Sequence, residues 1–159
     1  MIAARLTFLG ACRDAADFYC QVFHGDLILK TLFQDHSDQF PMGLSGDAGN
    51  FIYSAIVRIT DENGRSYISM GDSPVIAFSG RQGDGRCRDN VVFDVNVSSP
   101  SEVERIYDAF IHDGARCNIA LCTRKGYRKY ASFIDRFGIC WNVFCPEPDH
   151  AEPDSGDMI

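Results

Sequence analysis

Apolar residues along the chain change their period twice, and in the same order each time. Residues 3–9 are short, mostly apolar and strand-like. In RDAADFYCQVFHG, which follows, Ala15/Ala16, Phe18/Tyr19 and Val22/Phe23 recur at the spacing of a helix with one buried face, and Gly25 supplies the stop. DLILKTLF, FIYSAIVRI and RSYISMG then read as strands, the last two joined by Asp61-Glu62-Asn63-Gly64, a hairpin signal. The order is β-α-β-β-β.

NVVFDVNV begins that order again. SPSEVERIYDAFIHDG reads as a helix, with Ser99 or Ser101 as its cap, Pro100 near its start and Gly114 past its end. ARCNIAL, KYASFI and ICWNVFC are three further strands, the last two joined by a turn at Asp135-Arg136-Phe137-Gly138. The helix ends echo one another: Phe18-Tyr19 before Phe23-His24-Gly25, and Ile106-Tyr107 before Ile111-His112-Asp113-Gly114. The repeat organises residues 1–147 as two modules, about 1–78 and 88–147, around a Gly-rich, charged linker at 79–87. The linker glycines follow neither the GxGxxG nor the P-loop spacing, so no nucleotide loop is expected there. Residues 34–50 read as a long flexible loop, and 148–159 as a mobile acidic tail.

Charge narrows the partners. A net charge of −7 argues against a nucleic-acid surface, and Arg124-Lys125 and Arg128-Lys129 read as a solvated strand or loop face. No apolar run approaches the ~20 residues of a membrane span. Arg5 followed by LTFLGAC has the outline of a lipoprotein signal ending at Cys12, but its apolar core falls short of the roughly 7–15 residues needed. Without a signal, seven cysteines point to a reducing cytoplasm, and their odd number argues against a complete disulfide framework. Cys117 with Cys122, and Cys140 with Cys145, are spaced by an odd number of strand positions, which sends each pair to opposite faces and prevents chelation. His24 and His112 end helices, His36 lies in the long loop and His150 in the tail; a metal site built on His36 with Asp35 or Asp38 is the remaining alternative.

The words LTFLGACRDAADFY…VFHGD and DRFGICWNVF, set in a paired β-α-β-β-β repeat, resemble the PhnB-like branch of the vicinal oxygen chelate superfamily. Glyoxalase I, extradiol dioxygenases and bleomycin-resistance proteins belong to that superfamily. The resemblance covers residues 3–147. It implies an α+β fold in which two βαβββ modules form a curled mixed sheet, a cup, with helices outside and a small-molecule site inside, and it implies a homodimer. Metal-using members supply His or Glu from four strands. Carried over by position, those places fall near Ala4, Ser69, Asn90 and Asn142, none of which is an imidazole or a carboxylate. No metal or other cofactor is therefore expected, and Asn142 stands where a Glu ligand is absent.

Strand alternation selects the side chains that face a ligand. Val91, Phe93, Val95 and Val97 form an apolar face suited to lie under a helix, leaving Asn90, Val92, Asp94 and Asn96 on the other side. Likewise Ile139, Trp141 and Val143 should lie under the helix, and Cys140, Asn142 and Phe144 opposite them. Ser54, Ile56 and Arg58 alternate with Tyr53, Ala55, Val57 and Ile59, while Tyr67 and Ser69 alternate with Ile68 and Met70. The candidate ligand-binding residues are thus Ser54, Arg58, Tyr67, Ser69, Asn90, Asp94 and Asn142, with exposure at a sheet edge as the alternative for each. Leu6 and Phe8 are expected to offer apolar surface to the ligand. Two functions fit: a metal-independent binding protein, or a lyase, isomerase or dioxygenase with Asp94 as base and Tyr67 as acid. The methyltransferase label that often accompanies PhnB-like sequences finds no support, because no glycine-rich methyl-donor loop follows the first strand.

Overall fold

The computed structural model describes residues 4–40, 43–62, 64–74 and 91–148. Asn90, the linker 79–87 and residues 149–159 of the tail lie outside the described residues. The chain divides into two compact units, Met1–Arg86 and Cys87–Ile159.

The first unit runs β1 (Arg5–Phe8), α1 (Cys12–Val22), β2 (Asp26–Leu32), β3 (Ile52–Asp61), β4 (Gly64–Asp72). The second runs β5 (Val92–Asn96), α2 (Pro100–His112), β6 (Arg116–Arg124), β7 (Tyr127–Ile134), β8 (Cys140–Pro146). The sheet orders are β1-β4-β3-β2 and β5-β8-β7-β6, so the repeat is one of topology as well as of sequence pattern. In each unit the first strand pairs parallel with the last, and the other pairings are antiparallel. The fold is α+β, with two βαβββ modules and mixed sheets.

Each helix covers one face of its own sheet. α1 buries Cys12, Ala15, Ala16, Tyr19 and Val22, and packs on β3 and β4, whose Ala55, Val57 and Met70 are fully buried. α2 buries Val103, Ile106 and Phe110. The Phe110 ring centroid lies 4.6 Å from that of Phe133 and 5.7 Å from that of Trp141. Truncating such a ring to alanine costs about 3–5 kcal/mol.

Two buried carboxylates organise the units, and neither stood out in the sequence. α2 carries a local cap, since Ser99 Oγ accepts the Glu102 amide at 3.2 Å and Pro100 opens the first turn. α1 has no side-chain cap at Ala11. Its open amides are met from 60 residues away: Asp72 Oδ1 accepts from Cys12 N at 3.1 Å and from Gly10 N at 2.9 Å, while Oδ2 accepts from Ile52 N at 2.9 Å. Burial pushes the Asp72 carboxyl up from the usual carboxylate range, and the three amides and Arg13 oppose that rise. In the second unit, Asp135 accepts from Phe137 N at 3.0 Å, Ile139 N at 2.8 Å and the Trp141 indole at 2.9 Å. It closes the turn that Gly138, at φ 86°, completes.

The described parts of the expected loop 34–50 are not open. Phe33–Gln39 and Gly46–Asn50 are 3-10 helices, and Phe33, Phe40 and Ala48 are buried with Leu44, Phe51 and Tyr53 packed against them. Aromatic residues at 33, 40, 51 and 53 gain more by burial against one another than a solvated loop would return.

Candidate functional site

The open face of the second sheet carries a directed chain of hydrogen bonds. Trp141, Val143 and Cys145 are buried on the helix side, so alternation turns Asn142 and Phe144 to the other face. Register places Asp94 and Ser132 on either side of Asn142, and Asn96 and Tyr130 on either side of Phe144. Asn142 Nδ2 donates to Asp94 Oδ1 at 2.8 Å, and the Tyr130 hydroxyl donates to Asn142 Oδ1 at 3.0 Å. The two bonds fix which end of the amide is which. Asn142 and Tyr130 are half-buried and Asp94 is exposed. Burial pushes the Tyr130 phenol up, with Arg124 opposing and Asp94 adding to the rise, so the hydroxyl stays a donor at neutral pH. The Arg124 guanidinium lies over the Tyr130 ring, 4.7 Å from its centroid. Tyr127 and Phe144 extend the aromatic surface, with centroids 5.1 Å apart.

Of the expected residues, Asp94 and Asn142 are therefore brought together. Tyr130 and Arg124 also belong to this face, and sequence reasoning missed them. Tyr130 was within reach: KYASFI alternates, and buried Ala131 and Phe133 force Tyr130 and Ser132 outward.

On the first sheet, Arg58 stands directly opposite Tyr67, and Ile56 opposite Ser69. Ser54 is beside Thr31. Arg58 Nη2 pairs with Asp26 at 2.9 Å, while its Nε is buried without a hydrogen-bond partner. Tyr67 is 57% exposed. β1 turns its apolar side the opposite way from the sequence expectation. Arg5 registers with Ser69, so Leu6, opposite fully buried Met70, turns to the covered face, as does Phe8. Neither offers surface to a ligand; a strand with apolar residues at alternate places buries whichever face the helix covers. Arg5 and Thr7 take the open face instead. The Arg5 guanidinium donates to the Tyr53 carbonyl and crosses Gly71, where any Cβ would collide with it.

Of the four carried-over metal positions, the three that are described, Ala4, Ser69 and Asn142, carry neither an imidazole nor a carboxylate. Ala4 has no donor side chain and precedes β1, the neighbouring Arg5 brings a cation to the strand beside Ser69, and the Asn142 oxygen is engaged by Tyr130. Among the described residues no three His, Cys, Asp or Glu side chains gather as a metal would require. His36 stacks on Tyr53 at 4.0 Å and meets the Thr31 hydroxyl at 3.2 Å, while Asp35 accepts the Leu32 amide at 2.8 Å. Both serve the local turn. A separate cleft of about 430 Å³ lies at the first turn of α1, lined by Arg13, Asp14, Asp47, Asn50 and Asp72 among others.

No protein-family model and no curated protein matches the sequence. Solved structures do match the fold. The chain is similar to protein PA1353 from Pseudomonas aeruginosa, with 25% identity over 92% of this chain and 97% of that one, and a TM-score of 0.69. It is similar to a putative 3-demethylubiquinone-9 3-methyltransferase, a PhnB protein from Bacillus cereus, at 15% identity over 91% and 98% of the two chains, with a TM-score of 0.68. A glyoxalase/bleomycin resistance protein/dioxygenase family enzyme from Burkholderia phytofirmans matches at 13% identity over 91% and 96%, with a TM-score of 0.56. Topology, register and these neighbours agree: the chain has the fold of the vicinal oxygen chelate superfamily, with PhnB-like and glyoxalase-like proteins as its structural neighbours.

Proposed function

We propose that the chain binds a small, partly polar organic molecule on the open face of the second sheet, without a catalytic metal. The observation that carries this reading is the chain from Tyr130 through Asn142 to Asp94, which holds two half-buried polar groups in one orientation beside an aromatic surface. Polar groups held in place next to apolar rings suit recognition of one ligand orientation. Asp94 is exposed and accepts from Asn142, an arrangement suited to binding more than to proton abstraction. Tyr67, the candidate acid, lies in the other unit and is exposed. Ser54, Arg58, Tyr67 and Ser69 give the first sheet a secondary polar face, with Arg58 already committed to Asp26. We take the protein to act in the cytoplasm as a homodimer; no helix among the described residues is long and apolar enough to cross a membrane.

The test is a thermal-shift screen of small metabolites, followed by calorimetry on Asn142→Leu and Tyr130→Phe. A hit should bind each variant about tenfold or more weakly, the scale of one hydrogen bond with a desolvated partner. Hits that bind both variants as tightly as the parent would remove the second sheet as the site.

A further inference from the structure

We infer that the ligand of this face is an elongated aromatic acid, with a carboxylate at one end and a hydrogen-bond donor at the other. The inference rests on the binding face proposed above and adds the ligand's polarity. Its first support is the direction of the hydrogen bonds. Tyr130 donates to Asn142 and Asn142 donates to Asp94, so every donor points the same way and the series ends in an acceptor. A carboxylate offers about four lone-pair sites, and Asn142 takes one of those on exposed Asp94. What Asp94 can still recognise is an O–H or N–H.

The opposite end is cationic. Of the two basic pairs on the β6–β7 hairpin, Lys129 is tied to Glu104 at 2.6 Å, and Arg128 donates to the Ser98 carbonyl at 2.8 Å and the Pro146 carbonyl at 3.3 Å. Arg124 has no carboxylate partner among the described residues. Its guanidinium carbon lies over the Tyr130 ring, 4.7 Å from the centroid, which keeps it at this face as a cation able to take a carboxylate with two parallel bonds. In a protein of net charge −7, a local cation is what an anionic ligand needs.

Between the two ends lie Tyr127, Tyr130 and Phe144, whose centroids are 5.1–6.4 Å apart. That surface suits a flat apolar body. Length follows from the contacts: from the Arg124 guanidinium, 4.7 Å from the Tyr130 centroid, the path crosses the ring and two hydrogen bonds of 3.0 and 2.8 Å to reach Asp94, on the order of 10 Å end to end. A two-ring acid fits that span better than a one-ring acid.

Calorimetry with three probes tests the inference: 6-hydroxy-2-naphthoate, 2-naphthoate without the donor, and 2-naphthol without the acid. The parent should bind the hydroxy acid at least tenfold more tightly than either of the others. Arg124→Gln should remove the advantage over 2-naphthol, and Asp94→Ala the advantage over 2-naphthoate. Both replaced side chains are exposed, so unfolding temperatures should stay near the parent's and show that the variants fold. Equal affinity for the hydroxy acid and 2-naphthol, or an advantage that survives Arg124→Gln, overturns the inference. A screening hit that depends on Tyr130 and Asn142 but not on Arg124 overturns it while leaving the binding face standing. If no hit responds to Asn142→Leu, both readings fall.

Discussion

Replacing Asp135 by asparagine separates scaffold from site. The native carboxylate accepts two backbone amides through Oδ1 and the Trp141 indole through Oδ2. In Asp135→Asn, the amide oxygen can keep the two backbone donors, and its NH2 then faces the indole N–H. Two donors confront each other in a place only 3–4% exposed. Losing a hydrogen bond to a charged acceptor removes about 1.5–3 kcal/mol, and leaving the indole unsatisfied costs about 1–3 kcal/mol more. The expected loss is about 3–5 kcal/mol, out of the 5–15 kcal/mol typical of a native protein. For a chain of this length that lowers the unfolding temperature by roughly 6–20 °C. Trp141 is the sole tryptophan, so its fluorescence during urea or thermal unfolding reports on this spot directly. Asp94→Asn is the control: that residue is exposed and should cost less than about 1 kcal/mol. If Asp135→Asn costs under about 1 kcal/mol, or if the control costs as much, the division of roles between the two aspartates is wrong.

Other outcomes follow from the same structure. Burial and Asp72 push the Cys12 thiol up to about 12, so its thiolate is roughly one part in 10⁴ at pH 8, and iodoacetamide with mass mapping should label exposed Cys117 long before Cys12; equal rates would contradict the packing of α1. Because the raised Tyr130 phenol keeps its proton beyond its ordinary range near 10, ligand affinity should lose nothing to Tyr130 ionisation up to pH 9; a loss centred below pH 9 that Tyr130→Phe abolishes would refute its role as donor. Arg58→Leu breaks an ion pair whose side chains are 38% and 69% exposed, so denaturant melts should show less than about 1 kcal/mol of change. A larger loss would show that the buried Arg58 Nε has a structural role.

Both α-helices named above and the order of elements along the chain were legible because period and stop signals agreed, whereas the strand order within each sheet was not. Val22/Phe23 with Gly25, and Ser99-Pro100 with Gly114, bracket the observed helices within a few residues. That Asp94 and Asn142 share the uncovered face was legible because each strand has an apolar side rich enough to choose the covered face, but their pairing was not. β1 was not, since a four-residue strand gives alternation too few positions to vote, and Leu6 and Phe8 suit either face. Asp72 left no local trace, because its partners are amides at positions 10, 12 and 52, and Asp135 was legible only as the start of a turn, not as the acceptor of the Trp141 indole. In sequence Arg124 looks the same as its basic neighbours, and only the fold distinguishes a cation resting on a ring from one held by a carboxylate or a carbonyl.

The parallel pairing of β1 with β4 has a consequence for how the chain is made. Residues 5–8 find their partners only at 69–72, and Asp72 then reaches back to the amides of Gly10 and Cys12. On the ribosome, α1 emerges early but cannot settle, because the carboxylate that completes its first turn is translated some sixty residues later. β5 waits for β8 in the same way. Each unit therefore closes on its last strand, with loop-closure entropy charged before the reward arrives, which slows folding relative to a sheet built of hairpins alone. A nascent chain stalled short of β4 would expose α1's apolar stripe to chaperones, whereas one released just beyond Asp72 holds every strand of the first sheet.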